Sequence, residues 1–165
     1  MTEPASVSLR RARADDAAAI GRVHVASWRA AYASFMPTEV IAALDAVQRG
    51  EAWRELLEAG ERVWVAEDEA GLIGFAHVCP ARDEDLAADV WTELASMYLH
   101  PDRQRTGIGG RLLERALEGA APVCLWVLER NAAARSFYAR AGFVEERGRK
   151  VHARSGLVEL RMVRG

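Results

Sequence analysis

The stretch from Glu93 to Leu117 constrains this chain most. It reads ELASMYLHP, then DRQRTGIGG, then RLLERAL. The first part is an apolar run with strand character that breaks at Pro101. The second is a basic, glycine-rich loop, and the third has the apolar spacing of an amphipathic helix. A helix that starts straight out of such a loop leaves several backbone N–H groups without partners, and together they make an anion site. Gly107, Gly109 and Gly110 strip side chains from that helix start, while Arg103, Arg105 and Arg111 surround it with positive charge. A diphosphate suits such a site.

Spacing excludes two common phosphate loops. The dinucleotide fingerprint needs G-x-G-x-x-G; Gly107 and Gly109 supply two glycines, but Leu112 fills the third slot. The triphosphate loop needs Lys-Ser or Lys-Thr after its last glycine, and the one lysine of the chain is the distant Lys150. What remains is Gln104-Arg105-Thr106-Gly107-Ile108-Gly109, a Q-x-x-G-x-G loop. It resembles the pyrophosphate loop of the GNAT superfamily of coenzyme-A-dependent N-acetyltransferases. A second segment, Val123 to Phe143, reads VCLWVLERNAAARSFYARAGF. Its apolar run suits a buried strand, Asn131 can cap the following helix, and Gly142 suits that helix's end. The pattern N-x-x-A-x-x-F-Y-x-x-x-G-F, filled by Asn131, Ala134, Phe137, Tyr138, Gly142 and Phe143, resembles the second half of the same superfamily's core.

The rest of the chain is read by pattern. Val7 to Arg13 alternates as a first strand. Asp15 or Asp16 can cap a helix through Ile20, Val23 and Ser27 toward Tyr32. Pro37 opens a second short helix, and Glu51 to Leu57 continues helically until Gly60. Arg62 to Glu67 and Leu72 to Cys79 form a hairpin about Asp68-Glu69-Ala70-Gly71. Pro80 to Asp89 is an acidic loop. Val144 to Val151 and Leu157 to Val163 close the chain as antiparallel strands. The expected fold is α/β with a mixed sheet, in the order β-α-α-β-β-β-α-β-α-β-β, as the GNAT resemblance implies. One N-acetyltransferase domain spanning residues 1–165 is expected.

Composition narrows the partners. A formal net charge of −2 gives no basic field for nucleic acid. No apolar stretch approaches a membrane span, and MTEPASVSLRR lacks a signal-peptide core. Cys79 and Cys124 both lie in apolar runs and read as reduced thiols of a cytoplasmic protein. No metal-ligand spacing occurs. A homodimer stays open.

The resemblance implies transfer of acetyl from acetyl-CoA to an amine. Gln104 to Arg111 would hold the coenzyme's phosphates. Met97, Tyr98 and Leu99 would offer main-chain groups to its pantetheine arm and to the thioester oxygen, with Asn131 beside them. Tyr138 would donate to the departing thiolate, since a phenol titrates near 10 and a thiol near 8.5. Glu93 would act as general base, directly or through water. His24, Trp28 and Tyr32 recur at i, i+4 and i+8 on one helical stripe. Trp28 and Tyr32 would wall the acceptor, although packing explains such a stripe equally well. His77 and His100 are weaker bases, and Asp83, Glu84 and Asp85 could attract a cationic acceptor. The expected function is acetylation of a primary amine of a small molecule or peptide by direct attack. The alternatives are a non-catalytic acyl-CoA sensor and a protein N-terminal or lysine acetyltransferase.

Overall fold

The structure is a computed structural model that describes residues 6–165. The reading of the extreme N-terminus as free of a signal-peptide core lies partly outside them. Strand β1 (Ser8–Arg11) passes through a 3-10 turn (Ala14–Asp16) into α1 (Ala17–Tyr32), followed by α2 (Thr38–Ala42) and α3 (Ala46–Glu58). The hairpin β2 (Arg62–Asp68) and β3 (Gly71–Pro80) precedes β4 (Thr92–Leu99), α4 (Ile108–Ala116), β5 (Val123–Leu128) and α5 (Ala132–Arg140). The chain closes with β6 (Val144–Val151) and β7 (Val158–Arg164).

The helical segment before β2 holds three helices where the sequence reading allowed two. Asp45 is the reason: its Oδ1 accepts from the Gln48 N–H at 2.8 Å and starts α3 afresh. Asp16 does not cap α1 with its side chain. Its carboxylate instead takes two bonds from the Arg10 guanidinium and one from the Arg13 N–H.

Seven strands form one sheet in the order β1-β2-β3-β4-β5-β7-β6. Every neighbouring pair is antiparallel except β4 with β5. A parallel pair needs a crossover, and α4 supplies it. On that face of the sheet α4 buries Ile108, Leu112, Leu113 and Ala116 at helical spacing, against Ala76, Leu94 and Leu125 among others. Leu112 and Leu113 are fully buried, and each such leucine stabilises by roughly 1.5–3 kcal/mol. Phe137 of α5 and Ala141 just after it pack on the same cluster. On the opposite face Ala17, Ile20 and Val23 of α1 and Trp53 of α3 pack on Val63, Val65 and Phe75. The helices α1 and α3 meet backbone to backbone. A Cβ on Gly21 would stand 2.6 Å from both the Ala46 carbonyl oxygen and the Gly50 nitrogen, so that contact needs glycine. The close approach brings Arg49, next to Gly50, alongside α1.

Candidate active site

β4 and β5 are paired only over Thr92↔Val123, Glu93↔Cys124 and Leu94↔Leu125. Beyond Leu94 they separate. A bulge starts the divergence: β3 pairs Val78 with Leu94 but His77 with Ser96, leaving Ala95 as the extra residue. β4 then stays with β3 through Leu99, while β5 stays with β7 through Leu128. His100 donates its N–H to Ile73 of β3 at 2.7 Å. Backbone directions alternate along a strand, so the amides of Met97 and Leu99 turn the other way, into the gap. The Leu99 carbonyl is already occupied, accepting from Ser27 Oγ and Gln104 Nε2, both at 3.1 Å.

The gap widens into a cleft of about 1210 Å³ that runs between the two helical layers. At one end stands the glycine loop. Gly107 takes φ 83° and Arg105 φ 63°, both left-handed. Left-handed residues alternating with ordinary ones turn neighbouring amides inward into a concavity suited to an anion, and a non-glycine residue in that conformation costs about 1–2 kcal/mol. Gly107 begins α4 with no side-chain cap, so the first-turn N–H groups are left for a ligand. Nothing stands within 4 Å of where a Gly110 side chain would be. A diphosphate fits this donor set.

The surrounding arginines are not equivalent. Arg103 is tied to Asp68 at 2.8 Å, and Arg111 reaches back to the Val7 carbonyl at 3.3 Å. Of the three that the sequence gathered around the loop, only Arg105 lines the cleft, joined there by Arg140 of α5. Thr106 bonds the Arg103 carbonyl at 2.6 Å, and Ile108 is buried in the core, so both shape the loop from behind.

Along the cleft, Asn131 caps α5, its Oδ1 accepting from the Ala134 N–H at 3.1 Å, and it also lines the cavity. Tyr138 packs its ring against Phe137 and Phe143 at 5.2 and 5.8 Å and lines the same cavity. Burial, with the neighbouring Tyr32 adding to it, pushes the Tyr138 phenol well above its ordinary value. The phenol therefore keeps its proton at neutral pH and has an O–H to donate. All three tyrosines of the chain meet here. Tyr98 accepts from Trp28 Nε1 at 2.8 Å and lies 3.5 Å from the Tyr32 hydroxyl. Trp28 and Tyr32 stand edge to face at 5.0 Å, so this stripe both packs and lines the cavity.

Glu93 lies apart. It sits in the paired segment of β4, only 3% exposed, and does not line the cleft. Its carboxylate accepts from the Arg82 guanidinium, at 2.6 and 3.1 Å, and from the Arg82 N–H. His77 pairs with Glu61 at 2.8 Å, and His100 accepts from the Asp102 N–H. The acidic loop is largely neutralised: Arg161 binds Asp83 and Asp85, and Trp126 Nε1 donates to Asp83. Burial pushes the Cys79 thiol up to about 11 and the Cys124 thiol up to about 12, so neither is a ready nucleophile.

Four further residues line the cleft that sequence reasoning had not singled out: Arg49, His152, Arg154 and Glu159. They come from α3, the β6–β7 turn and β7. Glu159 had one available signal. In VELRMV the residues Val158, Leu160 and Met162 alternate with charged ones, which reads as a solvent face, but the cleft lies under that face at Glu159.

Comparison with known proteins agrees with this architecture. The profile of the acetyltransferase (GNAT) domain matches residues 59–145. An uncharacterized N-acetyltransferase of Bacillus subtilis, YuaI, is 35% identical over 76% of this chain and 73% of its own length. A Mycobacterium tuberculosis protein named "Probable N-acetyltransferase Rv2775" is 30% identical over 86% of this chain and 82% of its own. The PaiA N-acetyltransferase of Thermoplasma acidophilum, solved with coenzyme A, superposes with a TM-score of 0.75 at 22% identity. That match covers 96% of this chain and 98% of PaiA. The split sheet, the glycine loop at the start of α4 and these matches together make the chain a member of the GNAT family of N-acetyltransferases.

Proposed function

We propose that this chain moves the acetyl group of acetyl-CoA to a primary amine of a small molecule or peptide by direct attack. The observation that carries the reading is the gap between β4 and β5, which opens into a cleft lined both by the uncapped start of α4 and by Tyr138. In the reaction the amine nitrogen forms a bond to the thioester carbon, the carbon–sulfur bond breaks, and coenzyme A leaves as a thiolate. The ammonium proton must go to a base, because an ammonium has no lone pair.

Each step has a residue suited to it. Amides of the loop from Gln104 to Gly110, with Arg105, hold the diphosphate. The Met97 amide, turned into the gap, donates to the oxygen that becomes an oxyanion. Tyr98 and Leu99 flank the arm through main chain, and the Asn131 amide meets it from α5. Tyr138 donates to the departing thiolate. Trp28 and Tyr32 wall the acceptor. Thr106, Ile108 and Arg111 hold the loop's shape from behind.

Two carboxylates compete for the proton. Glu93 is buried and engaged by Arg82, so it serves only through a water relay. Glu159 lines the cleft itself, and the reading gives it the larger share. The two free cysteines, Cys124 buried and Cys79 partly so, suit a cytoplasmic location. The crystal complex of PaiA with coenzyme A supports the choice of cofactor.

The test is free-thiol release from acetyl-CoA in the presence of amino acids, polyamines, aminoglycosides and short peptides. Tyr138→Phe is expected to lower kcat about 10²-fold, within the range for a lost general acid, with coenzyme affinity unchanged. A wild-type chain that binds acetyl-CoA yet releases no thiol with any amine would be a sensor, and the transfer reading would fall.

A further inference from the structure

The cleft carries a pair of cations on each of two sides. Toward α4 and α5 its cations are Arg105 and Arg140, beside the diphosphate loop. Toward α1, α3 and the β6–β7 turn its cations are Arg49 and Arg154. Several of the chain's partly buried guanidinium groups have a carboxylate partner: Arg10 has Asp16, Arg82 has Glu93, Arg103 has Asp68, and Arg161 has Asp85. Among the described residues, the guanidinium of neither Arg49 nor Arg154 has an ion-pair or hydrogen-bond partner, although Arg49 is only partly exposed.

The two cations act on the same small region. Burial, then the charge of Arg154, holds the Arg49 guanidinium below its ordinary value. Burial, then the charges of Arg49 and Arg154, pushes His24 down to about 3. His24 Nδ1 accepts from Trp53 Nε1 at 3.0 Å, so the neutral ring carries its hydrogen on Nε2 and lines the cleft as a donor. A half-buried cation facing another without a counter-ion is costly, and a bound anion would offset that cost. Arginine's planar fork suits a carboxylate bidentately. Glu159, the one carboxylate among the described residues that lines the cavity, supplies the opposite sign for an ammonium, its contact with Lys150 being long at 3.9 Å.

We propose that the acceptor is an amino carboxylate, its carboxylate held by Arg49 and Arg154 and its amine facing Glu159 and Tyr138. The proposal rests on the acetyl-transfer reading and narrows it to amino acids and related small amino carboxylates. Polyamines and aminoglycosides are then poor acceptors, because they would bring more positive charge to a doubly cationic wall.

The experiment compares a panel of L-amino acids with the matching panel of their carboxamides, which keep the amine and lose the anion. Thiol release should give kcat/KM at least tenfold higher for the best acids than for their amides. Arg154→Gln, on an exposed turn, and Arg49→Gln should raise KM for the acids and close the gap between the panels, with the affinity for coenzyme A unchanged. Calorimetric titration of coenzyme A-loaded protein with the N-acetyl acids and N-acetyl amides gives a readout independent of turnover. No preference for the acids in either readout overturns the carboxylate seat. Good turnover of carboxamides or polyamines alone would overturn it while acetyl transfer to amines stands. Turnover of no amine would end the transfer reading as well.

Discussion

The two ends of the cleft are built in opposite ways. The loop end is backbone from one continuous stretch: the bulged half of β4, the left-handed residues Arg105 and Gly107, and the first turn of α4. Side chains there mostly face away, as Arg103, Thr106 and Arg111 do toward Asp68, the Arg103 carbonyl and Val7. The other end, where we propose the acceptor sits, is side chain from distant stretches: His24 and Trp28 of α1, Arg49 of α3, Tyr98 of β4, Arg154 of a turn and Glu159 of β7. A site made of amides binds whatever presents the right phosphates and tolerates side-chain change. A site made of side chains can be redesigned one residue at a time. Such a division lets one scaffold keep its coenzyme while changing its acceptor.

The sharpest way to break this contrast is at the loop. Gly109 has Phe137 at 3.5 Å from where a Cβ would be, so a methyl fits but an indole does not. Gly109→Trp should weaken coenzyme A binding by at least about 10³-fold, near 4.1 kcal/mol. Gln104→Ala removes a side chain whose amide bonds the Leu99 carbonyl and should cost far less. Calorimetry measures both. Comparable losses from the two would mean that side chains, not amides, grip the coenzyme.

The next effect distinguishes the carboxylates. Glu159→Gln should lower kcat about 10²-fold, as expected for a lost general base, and alter the pH–rate profile. Glu93→Gln should lower it less than about tenfold, its larger effect being on stability through the stranded Arg82 contact. The reverse order would route the proton through the buried segment of β4, and the acceptor end would lose its chemical role.

This same contrast explains what could be read from the sequence. Contiguous backbone features leave contiguous signals. Pro101, the glycine spacing and the capping Asn131 marked the strand–loop–helix unit and the α5 start at close to their observed bounds. The separate α3 was hidden because its start depends on one aspartate side chain turning back on Gln48. The acceptor wall was half visible. Trp28 and Tyr32 showed up through helical spacing, but Arg49 and Arg154 are unremarkable in sequence. Only the Gly21–Gly50 contact and the insertion of β7 between β5 and β6 bring them together. Glu93 was legible as a strand carboxylate, yet its partner Arg82 lies in a loop whose path no local pattern fixes.

The smallest expected effect concerns stability, and it belongs to the acceptor end alone. His24 is 9% exposed, and its pKa is pushed down to about 3 by burial and then by the two arginines. In the unfolded chain it titrates near 6.5. Below that pH the unfolded state binds a proton that the folded state refuses, so stability falls as pH drops from about 6.5 toward 3. At pH 5 the loss from this one residue is about 2 kcal/mol. Urea unfolding at pH 7 and pH 5 should show that drop in the wild-type chain, beyond whatever other groups contribute. His24→Gln keeps an acceptor for the Trp53 indole while removing the titration, so its drop should be smaller by about 2 kcal/mol. An equal drop in both chains would mean that His24 takes up its proton without unfolding. The wall would then be wetter and looser than its packing among Trp53, Phe75 and Tyr98 implies. The loop end offers no counterpart, since none of the residues from Gln104 to Gly110 titrates in that window.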